Sequence, residues 1–315
     1  MPATVYLNGE FLPESEAKIS PRDRGFLFSD GVYEALCAYD GGFFLAAEHF
    51  ARLQRSLRAL RIETDLTAAR FAEVARELVQ RNDLSGGHAK VYLQVTRGAP
   101  PARQHAFPEE PTPPTVYATA ARYELPEERW QRGVKVLLCR DERWERCDIK
   151  SVSLLPNVLA NQRAMEAGAF EAVLVREKED APNVVTEGSH SSFAAVVGGA
   201  LVTHPLGPGV LPGVTRRLVL ELAREEGIPV REQALPARHL PEADELILTG
   251  TTTGVMPVTR VENGTDLPEP HADAWDVAGG APGPVTQRLQ AAFREAIASP
   301  EAATLEGGTA YLEAA

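Results

Sequence analysis

The sequence predicts a mixed α/β chain of two domains, and three observations carry that prediction. Hairpin signals fall early, where Asn8-Gly9 and Asp40-Gly41-Gly42 each sit between apolar runs. Strand and helix patterns alternate from Val134 onward. Between the two sets lies "LPEERWQRG", a polar stretch that reads as a domain connector. The chain has 315 residues, long enough for two modest domains. We place a smaller domain at 1–124, a larger one at 125–298 and a mobile tail at 299–315.

In chain order, "ATVYLNGEFL" reads as two short strands about the Asn-Gly turn, and "GVYEALCAYDGGFFLAAEH" as a second hairpin. Phe50, Leu53, Leu57 and Leu60 recur at helical spacing, as do Phe71, Val74, Leu78 and Val79. "AKVYLQVTRG" is a strand entering the proline-rich loop "APPARQHAFPEEPTPP", and "TVYATAARYEL" is the strand leaving it. The second set runs strand "VKVLLCR", helix "NVLANQRAMEAGA", strand "EAVLVRE", strand "FAAVVGGALVTHP", helix "VTRRLVLELAREEG" and strand "ELILTGT". One further helix, "PVTQRLQAAFREAI", stands in the Gly-, Pro- and Ala-rich C-terminal region.

Bulk properties exclude several classes. A formal net charge of -12 argues against a nucleic-acid face. No stretch approaches the roughly 20 apolar residues of a membrane span. The start lacks a basic and apolar leader, and the three cysteines form no C-x-x-C, so a cytoplasmic chain with reduced thiols is expected. The seven histidines show no H-E-x-x-H spacing, so no metal is expected.

Lysine is scarce, five among 32 basic residues, which makes each one easy to weigh. Lys18 and Lys178 lie in polar segments and read as solvated surface; Lys90 and Lys135 start strands, where lysine commonly faces water. Lys150 differs, since Ile149 and "SVSLLPN" offer little charge around it. Desolvation favours the neutral amine that Schiff-base chemistry needs. A lysine that holds pyridoxal phosphate needs a carboxylate for the ring nitrogen, an anion site for the phosphate, and a grip on the substrate carboxylate. Glu187 in "VVTEGSHSSF" is the carboxylate candidate, with an ordinary Glu-Gly turn as the plainer reading. "LPGVTRRL" starts a helix near Val214, whose amide end and Thr215 hydroxyl suit a phosphate, and "TGTTTG" and Arg52 could add to it. Helix capping and a strand-end turn are the plainer readings there. Arg103 and His105 alternate in the proline-stiffened loop, where an arginine could clasp a carboxylate through two parallel hydrogen bonds.

Taken together, "DRGFLFSDGVYE", "EHFARL", "YLQVTRG", the Arg-x-His loop, "RWERCDIKS", "VTEGSHSS", "LPGVTR" and "TGTTTGVMPV" resemble the class IV, fold type IV, pyridoxal-phosphate aminotransferases. Within them the likeness is greatest to the bacterial D-amino acid aminotransferases and covers about residues 4–262. The resemblance implies a two-domain α/β (α+β mixed) fold with pyridoxal 5'-phosphate in the interdomain cleft. It implies Lys150 as the catalytic lysine that holds the cofactor as an aldimine, and Glu187 as partner of the pyridine nitrogen. Arg52, Val214, Thr215 and the Gly250–Thr251 turn would hold the phosphate, and Leu211 would support the ring. Tyr33, Arg103 and His105 would trap the substrate carboxylate, the loop arriving from the partner of a homodimer with composite sites. Transamination of D-amino acids with a 2-oxo acid follows as the implied activity. The alternatives are a branched-chain L-amino acid aminotransferase on the same fold and a protein that binds the cofactor without turnover. Three departures stand out: one extra residue before Arg103, Ser192 in place of the usual asparagine, and Gly250 in place of a hydroxyl residue.

Overall fold

The computed structural model describes residues 3–177, 181–267 and 274–299. Lys178 and all but the first residue of the expected tail lie outside them. The chain divides into two compact units. One holds the described residues up to Leu125 with Ile149–Ser153 and 297–299; the other holds Pro126–Asp148 and Leu154–Ala296. The stretch around Lys150 therefore returns to the first unit.

The first unit is built on strands β1 (Thr4–Leu7), β2 (Glu10–Pro13), β3 (Gly31–Tyr39), β4 (Gly42–Phe43), β5 (His88–Thr96) and β6 (Thr115–Arg122). They form one antiparallel sheet in the order β2-β1-β6-β5-β3-β4. Alternation assigns its faces: Ala89, Val91, Leu93 and Val95 of β5 point into the core, while Lys90, Tyr92 and Gln94 point the other way. Helices α2 (Ala46–Leu60) and α3 (Ala68–Arg81) cover the core face with Leu53, Leu57, Phe71, Val74 and Leu78. Their apolar residues recur every three or four positions, so one stripe of each helix is buried. A short helix, α1 (Arg24–Phe28), is capped by Asp23, whose carboxylate accepts the Gly25 N–H. The opposite face of the sheet carries Tyr33, Tyr92 and Gln94, with Tyr33 directly across from Gln94.

The second unit contains α4 (Glu127–Arg132), β7 (Val134–Arg140), α5 (Leu155–Glu166), β8 (Glu171–Arg176), β9 (Val184–Gly188), β10 (Ser192–Val197), β11 (Ala200–Thr203), α6 (Val214–Glu225), β12 (Val230–Glu232), β13 (Leu235–Pro236), β14 (Glu245–Gly250), β15 (Gly254–Asn263), β16 (Ala274–Asp276) and α7 (Pro284–Ala298). Its strands follow the order β12-β11-β10-β14-β15-β7-β8-β9-β13, with β16 beside β15. Parallel β7 and β8 need a crossover, and α5 supplies it. After β9 the chain enters β10 within three residues, and the Gly188 N–H bonds the Ser191 carbonyl. The path from β10 round to β9 thus meets itself, and the sheet is curled. β14 is buried along nearly its whole length, as expected of a strand covered on both faces.

Three sequence readings change in the structure, and a fourth gains detail. "LPEERWQRG", at whose start the two units divide, forms α4, with Trp130 1% exposed and its indole N–H donating to the Thr253 carbonyl. Gly254 adopts φ +64, and a Cβ there would lie 2.3 Å from the Trp130 ring, so only glycine fits beneath it. "FAAVVGGALVTHP" is two strands, β10 and β11, folded about Gly198 and Gly199, both at positive φ. The sequence reading also stopped at "ELILTGT" and did not include β15, a strand that holds Pro257. Pro257 is tolerated because pairing with β7 begins only at Val258, beside a register shift. Finally, Lys135 is not simply in water: its ammonium donates to Glu262 and to the Ala167 carbonyl.

Candidate active site

In the first unit, Lys150 lies on the segment that follows β3 back. Ser151 makes an antiparallel bridge with Val32, the Tyr33 N–H donates to the Lys150 carbonyl, and the Lys150 N–H donates to Ser56 Oγ. Three backbone anchors thus fix the stem of a half-buried side chain. Its Nζ sits 4.0 Å from the centroid of the Tyr33 ring, which stacks with Tyr92 at 5.6 Å. No carboxylate among the described residues pairs with Nζ, in contrast to Lys135.

Arg52 is 3% exposed on the core side of α2. Its Nε and Nη2 donate to Glu34 at 3.0 and 2.7 Å, and His49 Nδ1 meets the same carboxylate at 3.0 Å. Burial alone would raise the pKa of Glu34, but Arg52 and then His49 outweigh it and hold it far below the ordinary value of 4.5. Ionised Glu34 can only accept, so the hydrogen on His49 is at Nδ1. Burial in turn lowers the pKa of His49 against the pull of Glu34, which keeps its imidazole neutral. Removing one partner leaves the other charge buried and uncompensated, a cost of about 3–5 kcal/mol. Glu34→Gln should lower the urea midpoint accordingly. The sign of the pH dependence follows: with the folded pKa depressed, this stability is present above pH 4.5 and lost on acidification below it. The variant should lose that slope.

Arg103 and His105 lie exposed, both against Phe28, with the guanidinium 4.7 Å and the imidazole 5.3 Å from its ring. Arg24 pins their loop from beneath. Its guanidinium donates to the carbonyls of Gln104, His105 and Ala106 and to Asp30. Arg97 lies 3.8 Å from the centroid of the Phe107 ring and also bonds Asp30, which fixes the far end of the loop. No recorded contact joins Arg103 or His105 to Tyr33 among the described residues. Tyr33 has its ring contacts with Lys150 and Tyr92, while Arg103 and His105 have theirs with Phe28.

In the second unit the remaining candidates converge on residues 187–192. Glu187 is the penultimate residue of β9, 5% exposed. Arg143 donates to its Oε1, and the Leu211 N–H lies 3.2 and 3.1 Å from its two oxygens. Arg143 is itself held by Asp141, whose other donors are Arg176 and Thr186. Burial lifts the pKa of Glu187 above the ordinary carboxylate range despite the opposing pull of Arg143. Asn157 on α5 braces the turn by donating to the Ser189 carbonyl at 2.7 Å.

Ser191 and Ser192 join the other pieces. A Cβ on Gly213, the N-cap of α6, would lie 2.6 Å from Ser192 Oγ, and one on Gly250 would lie 3.7 Å from Ser191 Cβ. The Val214–Thr215 end of α6 and the Gly250–Thr251 turn thus flank the same pair of serines. The first turn of α6 has no acidic residue and no side-chain cap, so its end keeps the roughly half positive charge of a helix N-terminus. An anion fits that end.

Sequence reasoning missed Arg143, Asp141, Glu34, His49 and Arg24. Glu34 carried a usable signal, because it shares the core face of β3 with Val32 and Leu36. Arg143 carried none, since its partner lies 44 residues on.

The amino-transferase class IV family model matches residues 31–261. The chain belongs to the class IV aminotransferase family. Relatives named D-alanine aminotransferase, from Staphylococcus epidermidis and Bacillus licheniformis, are each 38% identical, over 94% and 96% of this chain and 98% and 99% of theirs. A solved branched-chain amino acid aminotransferase of Escherichia coli superposes with a TM-score of 0.82 at 24% identity, covering 98% of each chain. That of Thermobaculum terrenum, solved in its PLP form, gives 0.77 at 22%, covering 94% of each. The class IV aminotransferases depend on pyridoxal phosphate, and the residues here fit that group. Glu187 is a buried carboxylate held in place by Arg143 and the Leu211 amide, the kind of group that suits a ring N–H, and the uncapped α6 terminus suits the phosphate. As a class IV aminotransferase the chain is a transaminase. Among its described residues no helix is long and apolar enough to cross a membrane.

Proposed function

We propose that this class IV aminotransferase acts on D-amino acids such as D-alanine, passing the amino group to a 2-oxo acid such as 2-oxoglutarate. The observation that carries this reading is the end-to-end likeness to relatives named D-alanine aminotransferase. The solved branched-chain enzymes share the fold at 22–24% identity, which leaves the L-specific reading as the alternative. A paired assay decides between them, with D-alanine and L-leucine each offered with 2-oxoglutarate. Consumption of D-alanine alone is expected; consumption of L-leucine alone would reverse the assignment.

On this reading the residues divide the labour as follows. Pyridoxal phosphate, when bound, supplies an electron sink for the pair left at the substrate Cα. Lys150 would hold the cofactor through its Nζ, and the same nitrogen would serve as the general base for the Cα proton. Tyr33 lies beside that nitrogen and keeps the reacting amine against an aromatic face. Glu187, oriented by Arg143 and the Leu211 amide, would keep the ring nitrogen protonated. Val214, Thr215, Gly250 and Thr251 would hold the phosphate and Leu211 would support the ring, with Arg52, whose guanidinium also pairs with Glu34, as a further cation. Arg103 and His105 grip the substrate carboxylate in the site of a partner copy, so the working unit is a homodimer. A cytoplasmic setting accords with three buried, unbridged cysteines.

The carboxylate grip makes a measurable claim. Arg103→Ala should leave the substrate carboxylate unpaired, at a cost of about 2–5 kcal/mol, roughly 30-fold and upward in KM for D-alanine. Arg24→Ala should raise the same KM by freeing the loop, with kcat less affected. An unchanged KM in the first variant would remove Arg103 from the grip.

A further inference from the structure

The turn that joins β14 to β15 is shaped from behind by a tryptophan. Gly250 and Gly254 form the last pair of the two strands, so Thr251, Thr252 and Thr253 close the hairpin as a three-residue loop. The indole N–H of Trp130 donates to the Thr253 carbonyl at 2.8 Å, and both residues are buried. The same ring fills the space beside Gly254. At the other end of the loop, Thr253 Oγ1 lies 3.2 Å from the position a Cβ on Gly250 would take. Thr253 therefore packs the end of the loop against its start, and Trp130 holds Thr253.

Trp130 is itself held. Gln290 of α7, also buried, donates from its amide to the carbonyls of Trp130 and Val255 at 3.0 Å each, so one side chain joins α4 to the start of β15. The Phe293 ring meets the indole edge-on, with centroids 6.0 Å apart. Arg294 lies 5.1 Å from the indole centroid and pairs with Glu127 at 2.8 Å. Any large ring could fill this space; only an indole also places an N–H on the loop carbonyl.

We propose that Trp130 is a positioning residue for the cofactor phosphate: through Thr253 it fixes the backbone of the 251–253 loop in one shape before the phosphate binds. The inference rests on the reading above in which Gly250 and Thr251 hold that group. Donors that are fixed in advance lose less freedom when their anion arrives, so the benefit appears as affinity for the phosphate.

Equilibrium binding of pyridoxal phosphate and of pyridoxal, which lacks the phosphate, tests this on the full chain after its cofactor has been removed. The readout is the ratio of the two dissociation constants. Trp130→Phe keeps an aromatic ring and deletes the N–H. It should lower the native preference for pyridoxal phosphate about tenfold, the effect of leaving a buried carbonyl without its donor, with affinity for pyridoxal unchanged. A loss of general packing would instead weaken both ligands alike, and that result overturns the proposal. Thr251→Ala, measured beside it, should lower the same ratio. A ratio that falls in Thr251→Ala but not in Trp130→Phe overturns the role of Trp130 and leaves the phosphate site standing. A ratio unchanged in both variants overturns the phosphate site and the inference together. Should Trp130→Phe not fold, the native chain decides by NMR. The Trp130 indole N–H signal, assigned by elimination with Trp144→Phe and Trp275→Phe, should move when pyridoxal replaces pyridoxal phosphate, and a signal that stays in place overturns the proposal.

Discussion

Lys150→Ala is expected to abolish covalent retention of pyridoxal phosphate and to lower turnover by roughly 10⁴-fold or more. The reason is that one nitrogen performs two tasks, bonding the cofactor and moving the Cα proton. The surroundings fit both. The backbone of Lys150 is fixed by Tyr33 and Ser56, while its amine touches an aromatic ring and pairs with no carboxylate among the described residues. Lys135, by contrast, is committed to Glu262 and the Ala167 carbonyl. Borohydride treatment followed by mass measurement should show the cofactor mass on the native chain and none on the variant. A cofactor adduct that persists would mean that another lysine carries it. Because the side chain is half-buried rather than part of the core, the variant should fold, and circular dichroism checks that.

Glu187→Gln is expected to lower kcat by roughly 10- to 1,000-fold while leaving the fold intact. A carboxylate at contact distance shifts the pKa of a cationic partner by about 1–3 units, and each unit is a factor of ten in the protonated fraction where that fraction limits. Glutamine still accepts the Leu211 N–H, and Arg143 keeps Asp141, so the loss is of charge rather than of packing. Burial holds the pKa of Glu187 above 4.5 in the cofactor-free chain. Stability from this group is therefore full below that pH and lost as pH rises through the elevated value, the reverse of Glu34. Glu187→Gln should flatten the decline above pH 4.5, and Glu34→Gln the decline below it. An unchanged kcat in Glu187→Gln would remove the carboxylate from the reaction.

How much of this the sequence disclosed depended on the range of the interaction. The helices α2, α3, α6 and α7 were legible because burial of one helical stripe imposes a period on neighbouring residues. The β10–β11 hairpin was signalled by Gly198-Gly199 and still passed over, since the apolar run continues through it. β15 was passed over, and its Pro257 is tolerated through a register shift no local pattern reveals. Lys150 and Glu187 were accessible through their neighbours' chemistry and through the family's motifs. Their supports were not. Arg143 reaches Glu187 through the curl of a sheet, and Arg24 finds the 104–106 carbonyls some 80 residues away. Such contacts belong to topology, and only the folded chain displays them.

The central claim is that the amine of Lys150 removes the hydrogen at Cα of a D-amino acid. Proton NMR of D-alanine and of L-leucine, each incubated with the holoenzyme in deuterium oxide without any 2-oxo acid, reads that step alone. We expect the Cα proton signal of D-alanine to fade with the native chain, to persist with Lys150→Ala, and to persist in L-leucine throughout. Loss of the L-leucine signal with D-alanine untouched, or undiminished exchange in the Lys150→Ala variant, would contradict the account.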